Sequence, residues 1–140
     1  MDISNNAKKA RPSSTLSISS NANRMIDEGI DIVNFSAGEP DFNTPDYIKE
    51  AAIEAINDNF TKYTPYEGIV ELRQAVADDL KKNCDLDYTP EQIVISNGSK
   101  HAITNAFMAI LNPEDEVIVP APYWNSYIDI IELCYGVPVV

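Results

Sequence analysis

One stretch, Ile93 to Tyr127, limits what this chain can fold into more than any other; it reads IVISNGSKHAITNAFMAILNPEDEVIVPAPYWNSY. Ile93-Val94-Ile95-Ser96 is β-branched and apolar without a break, the pattern of a short buried strand. Asn97-Gly98-Ser99 supplies a turn, since glycine tolerates backbone angles that other residues resist. Ala102, Ile103, Ala106, Phe107 and Ile110 then recur at three- and four-residue steps, which predicts a helix. Asn112-Pro113-Glu114-Asp115 stops that helix, and Val117-Ile118-Val119 reads as the next buried strand. Strand, glycine turn, helix, turn and strand make a βαβ unit, so the chain is expected to be α/β.

Chemistry in such a unit gathers at the first turn. Backbone N–H groups of Gly98, Ser99 and Lys100 are expected to point out of the helix start, where the helix dipole places roughly half a positive charge. The Ser99 hydroxyl adds a donor and Lys100 a full charge, so phosphate is the natural guest. The plainer alternative is that Ser99 caps the helix and Lys100 is a solvated surface residue. Asn-Gly-Ser-Lys is not a P-loop, because the long glycine loop and the Lys-Ser/Thr ending are missing. After the second strand, Pro120-Ala121-Pro122 leads into Tyr123 and Trp124. Ligands of open α/β sheets bind at strand carboxyl ends, so Trp124 can form a flat apolar wall; a core aromatic is the alternative. A phosphate turn and an aromatic wall together suit a planar ring that carries a phosphate.

Four segments resemble a known family. They are Ser36-Ala37-Gly38-Glu39-Pro40-Asp41-Phe42, Thr61-Lys62-Tyr63-Thr64-Pro65 with Gly68, Ser96-Asn97-Gly98-Ser99-Lys100, and Pro120-Ala121-Pro122-Tyr123-Trp124 with Ser126-Tyr127. Their order and spacing resemble class I aminotransferases, pyridoxal 5'-phosphate enzymes of the aspartate aminotransferase type, and within them the bacterial aspartate and aspartate/prephenate subgroup. The resemblance runs from about Arg11 to Val140. It implies the N-terminal part of the fold type I pyridoxal-phosphate transferase fold. Residues 1–43 would be the N-terminal arm and a small-domain segment, and residues 44–140 the first part of the large mixed-sheet domain.

The same resemblance implies the function. An amino group passes from an amino acid to a 2-oxo acid through a Schiff base with pyridoxal phosphate, in a homodimer. Gly98, Ser99 and Lys100 would hold the cofactor phosphate, and Tyr63 would reach the phosphate of the neighbouring subunit. Trp124 would cover the ring and face the substrate, and the Gly38 N–H would meet the substrate α-carboxylate. The family's Schiff-base lysine, ring-nitrogen aspartate, O3′ asparagine and carboxylate arginine would fall beyond Val140. No catalytic residue is therefore expected in this stretch, and the 140-residue chain alone is expected to be inactive. Ser99 and His101 stand where Ala or Gly and Gln are usual, and Asn125 where Val is common. A phosphate-binding or dimerisation fragment without catalysis, or a lyase of the same fold, would share these motifs.

Composition narrows the rest. A net charge of −12 disfavours nucleic-acid or anionic-membrane partners, while a phosphate site built from backbone donors and one lysine survives it. Cys84 and Cys134 give neither a disulfide framework nor metal spacing, and His101 is the sole histidine. No run has the length of a membrane span, and the first twenty residues are too polar for a signal peptide; the expectation is a cytoplasmic chain. The resemblance implies that Arg11-Pro12-Ser13 begins an ordered arm. Helices are predicted over Thr15–Glu28, stopped by Gly29, and over Thr44–Asn57, with Thr44 as N-cap and Pro45 as first helical residue. Two more are predicted over Ile69–Lys82, with Arg73 facing outward, and over Trp124–Leu133. Ile32-Val33-Asn34-Phe35 reads as a short strand.

Overall fold

A computed structural model describes residues 2–9, 14–36 and 38–140 of the chain. The expected arm at Arg11-Pro12-Ser13 lies outside the described residues. Contacts group the chain into two compact units, Met1–Phe42 with Ile103–Val140, and Asn43–Ala102.

The first unit is built on a parallel pair of strands, β1 (Glu116–Ile118) and β2 (Val137–Val139), joined by helix α5 (Ser126–Leu133). Glu116 pairs with Val137, Val117 with Pro138 and Ile118 with Val139. Pro138 has no N–H to give, so its neighbours bind the ladder. Val137 N–H donates to the Asp115 carbonyl and Val119 N–H to the Val139 carbonyl, each at 2.8 Å. Helix α5 packs against β2 and against a single 3-10 turn at Ala7–Lys9. Its inner residues Ile130 and Ile131, with Val119 and Cys134, are the buried core of this unit, and Ile131 is wholly enclosed. Burial holds the Cys134 thiol pKa above its usual value.

Helix α5 ends in a Schellman motif. Tyr135 takes a φ of +67°, its N–H donating to the Glu132 carbonyl at 3.2 Å, and Gly136 N–H donates to the Ile131 carbonyl at 2.9 Å. A side chain on Gly136 would sit 3.0 Å from Ile131 Cγ2 and 3.1 Å from Leu111 Cδ1, so the chain turns back into β2 over a tightly packed position. Helix α1 (Ser14–Asp27) ends the same way at the expected glycine. Gly29 (φ +81°) donates to Ile26 at 2.9 Å and Ile30 to Met25 at 3.0 Å.

In the second unit, helix α2 (Asp46–Asn57) starts one residue later than expected. Pro45 is the N-cap, with φ −53° and ψ 142°, and its carbonyl accepts from Ile48 and Lys49. An asparagine, Asn59 at φ +60°, serves as the left-handed stop. Helix α3 (Val70–Cys84) follows, and then a 3-10 turn at Pro90–Gln92 that packs against it. Arg73 departs from the expected outward face. It is half-buried, and its guanidinium bridges two loops: Nε donates to the Gly68 carbonyl at 3.1 Å and Nη1 to the Pro90 carbonyl at 2.9 Å. Glu91 beside it has its pKa held below the usual carboxylate value, mainly by a hydrogen bond from the Thr89 side chain and its own backbone, and to a smaller degree by Arg73.

Two expected strands do not form. Ile93–Ser96 enters no ladder; Ile93 itself is extended at φ −108° and ψ 131°, and Ile95 N–H donates to the Glu67 carbonyl at 2.9 Å. Ile32–Phe35 is irregular and Phe35 is 92% exposed. β-branched sequence favours extended backbone, but a strand also needs a ladder partner, and among the described residues only β1 and β2 find one. The βαβ unit is therefore β1–α5–β2, one step further along the chain than expected. Helix α4 (Gly98–Ile110) follows the turn as predicted.

Gly68 joins these parts of the second unit. At φ +101°, a Cβ there would lie 2.6 Å from Ile95 Cγ1. Gly68→Ala is expected to lower stability by about 2–4 kcal/mol, backbone strain adding to overpacking. A urea unfolding midpoint unchanged from the parent would refute the close packing of Gly68 on Ile95.

Candidate functional site

At the start of α4 the turn is closed by two internal hydrogen bonds. Gly98 N–H donates to the Ser96 carbonyl at 2.8 Å, and Asn97 N–H donates to His101 Nδ1 at 3.1 Å. The Gly98 amide is thus turned inward, like that of Asn97, instead of pointing out of the helix start as expected. What Gly98 contributes is its φ of +78°, which carries the chain from Ser96 into the helix. Ser99 and Lys100 follow in the first helical turn, where amides lie at the positive end of the helix, and Asn97 through Lys100 are all exposed. First-turn amides, a hydroxyl and an ammonium form a donor set that suits a phosphate dianion and leaves it accessible.

The second sequence feature lies in the first unit. Beyond β1 and the buried Val119, the chain passes a cis Ala121–Pro122 peptide and reaches Trp124. Trp124 is 43% exposed, so it is not enclosed in the core of its unit. Its ring meets Tyr127 edge-on, with centroids 5.6 Å apart and planes at 82°. Tyr127 N–H donates to the Trp124 carbonyl at 2.9 Å. Trp124 borders a mainly apolar cavity of about 530 Å³ with Phe107, Val117, Pro122, Tyr127 and Ile131. That volume lies within the roughly 300–1,000 Å³ usual for small-molecule sites. An apolar recess edged by an indole fits a flat apolar ring, and the α4 turn, taken by itself, fits a phosphate.

Tyr63 lies in the second unit, fully exposed, in a shallow recess with Thr61 and Lys62. Gly38, in the first unit, is exposed, and a Cβ built on it would meet nothing within 4 Å. The loop before it is braced by Asn34, whose Oδ1 accepts from the Ser36 N–H at 3.0 Å and the Ser36 hydroxyl at 2.6 Å. Gly38 and Trp124 thus belong to one unit, and Tyr63, Gly98, Ser99 and Lys100 to the other. Among the described residues no cluster of His, Cys, Asp or Glu could hold a metal ion, and no helix is long and apolar enough to cross a membrane.

Sequence reasoning missed two residues that shape these loops. Arg73 reads as one more charge on a solvated face; the available signal was its place between the loops of Gly68 and Pro90. His101 bears an acceptor in the first turn of a helix and reaches back to the N–H before it, as Glu or Gln does in a capping box.

The family model for aminotransferase class I and II matches residues 30–140, and the chain belongs to that family. It is 51% identical over 128 residues to a probable aspartate/prephenate aminotransferase of Rhizobium leguminosarum bv. phaseoli, covering 91% of this chain and 32% of that protein. It is 42% identical over 139 residues to an aspartate aminotransferase of Bacillus subtilis, covering 99% of this chain and 35% of the other. The solved structure of aspartate aminotransferase from Thermus thermophilus with maleate superposes with a TM-score of 0.95 at 42% identity, over 99% of this chain and 36% of that one. The fold is accordingly that of the aspartate aminotransferases, and the chain spans about a third of the length of the relatives it matches.

Gly98 and Gly68 differ in a measurable way. No atom lies within 4 Å of a Cβ built on Gly98, so Gly98→Ala carries the backbone cost alone, about 1–2 kcal/mol. It should be milder than Gly68→Ala in the same urea unfolding assay, and a Gly98→Ala loss equal to or larger than that of Gly68→Ala would contradict this geometry.

Proposed function

We propose that this chain is the N-terminal third of a pyridoxal-phosphate-dependent aminotransferase that moves an amino group from an amino acid to a 2-oxo acid. Residues 1–43 are the arm and small-domain segment, and residues 44–140 the first part of the large domain. The observation that carries the reading is the TM-score of 0.95 with an aspartate aminotransferase over 99% of the chain. The names of the relatives, aspartate and aspartate/prephenate aminotransferase, support an acidic amino acid as one donor.

Each candidate residue then has a physical task. The Ser99 and Lys100 amides, the Ser99 hydroxyl and the Lys100 ammonium hold the phosphate dianion, and Gly98 sets the turn that presents them. The Tyr63 phenol, which packs on nothing in its own unit, donates to the phosphate held by the other subunit of a homodimer. Trp124 lies against the ring and keeps water from one face of it, and the Gly38 N–H meets the substrate α-carboxylate. Bound pyridoxal phosphate supplies an aldehyde for the amine and a ring that accepts electrons.

Two substitutions in the whole protein test this. Trp124→Phe should shift the absorbance of the bound cofactor and lower activity while the apoprotein melts nearly unchanged. Stacking is worth roughly 0.5–1.5 kcal/mol, whereas deleting a core Trp costs about 3–5 kcal/mol of stability. A large fall in apoprotein melting temperature with a normal cofactor spectrum would return Trp124 to the core.

Tyr63→Phe should weaken cofactor retention roughly ten- to hundredfold, the range for a hydrogen bond to a charged group, with the dimer intact by sedimentation. Unchanged affinity would remove Tyr63 from the site.

A further inference from the structure

The phosphate turn needs its peptide planes held in one orientation, and its sequence contains little that is rigid. Asn97-Gly98 is a flexible pair, exposed on the surface, and Gly98 sits at a φ of +78° with nothing packed where a side chain would be. Two hydrogen bonds fix it. One is backbone to backbone, from Gly98 N–H to the Ser96 carbonyl at 2.8 Å. The other depends on a side chain: His101 Nδ1 accepts from the Asn97 N–H at 3.1 Å.

We infer that His101 is a positioning residue for the cofactor phosphate: by accepting the Asn97 N–H it holds the Ser96–Asn97 peptide, whose carbonyl accepts the Gly98 N–H, and so fixes the turn that lets the Ser99 and Lys100 amides face the anion. The inference rests on the functional reading above and extends it to a residue that does not itself touch the phosphate. Nδ1 can accept only while it carries no proton, so the ring sits in the tautomer with its proton on Nε2. Turning the Asn97 amide inward also removes it from competition for the anion. The ligand then meets a defined set of donors.

The chemistry required at position 101 is an acceptor of suitable reach, not an imidazole. A glutamine side-chain oxygen meets that requirement, as it does in capping boxes. An alanine does not, although it favours a helix more than histidine does, so loss of helix cannot explain an alanine defect.

The test uses the whole apoprotein, titrated with pyridoxal phosphate and, separately, with pyridoxal, which lacks the phosphate. His101→Ala should raise the dissociation constant for pyridoxal phosphate by roughly three- to tenfold, the range for one net hydrogen bond. Pyridoxal affinity and the apoprotein melting temperature should hold, and His101→Gln should restore parental affinity. His101→Leu, which keeps the bulk and lacks the acceptor, should behave as alanine does. Unchanged pyridoxal phosphate affinity in the alanine and leucine variants would overturn the inference. So would an equal loss for pyridoxal, or failure of glutamine to restore binding, either of which assigns His101 a general structural role. A parent protein that binds no pyridoxal phosphate would instead remove the functional reading, and the inference with it.

Discussion

Parallel strands cannot be joined by a tight turn, and that requirement shapes the first unit. Between Ile118 and Val137 the chain must travel back the length of a strand, which it does through α5. The helix returns its apolar side to the pair, enclosing Ile131 completely and Ile130 and Cys134 nearly so. Closing the circuit then demands a sharp reversal at Tyr135-Gly136, where the left-handed tyrosine and the crowded glycine bring Val137 level with Glu116. Trp124 takes its position from the same circuit. It lies in the segment that leaves β1 and has not yet entered α5, so it can border a cavity without joining the core.

The second unit is held by contacts between loops more than by a sheet. Gly68 lies against Ile95, the Glu67 carbonyl accepts from Ile95 N–H, and Arg73 binds the carbonyls of Gly68 and Pro90. These bonds tie the connector that follows Tyr63 to the segment that enters the α4 turn. In the functional reading, two groups that serve the same kind of phosphate are thereby mounted on one brace. The brace uses main-chain carbonyls, which any residue supplies, and one arginine, whose fork of donors can satisfy two of them at once.

How far the sequence reaches depends on the range of the physics involved. Helices α1 to α5 are legible because their apolar residues repeat within a turn or two, and Gly29 ends α1 because the penalty for a left-handed residue is local. The glycine turn before α4 is legible for the same reason. The strands are less so, since Ile93–Ser96 and Val137–Val139 are similarly β-branched and only the second has a partner across the ladder. Arg73 and His101 were hidden because their importance lies in what they bond to.

The sequence by itself determined the helix periods, the turn glycines and the four motifs that identify the family, since each depends on residues close together in the chain. Tertiary structure alone decided which β-branched run pairs into a sheet, that Arg73 turns inward, and that the Gly98 amide is directed to Ser96. It also decided that His101 holds the Asn97 amide and that Trp124 stays partly open beside a cavity. Each of these rests on a donor meeting an acceptor, or a surface meeting its cover, and no residue's type or spacing specifies that without the folded geometry.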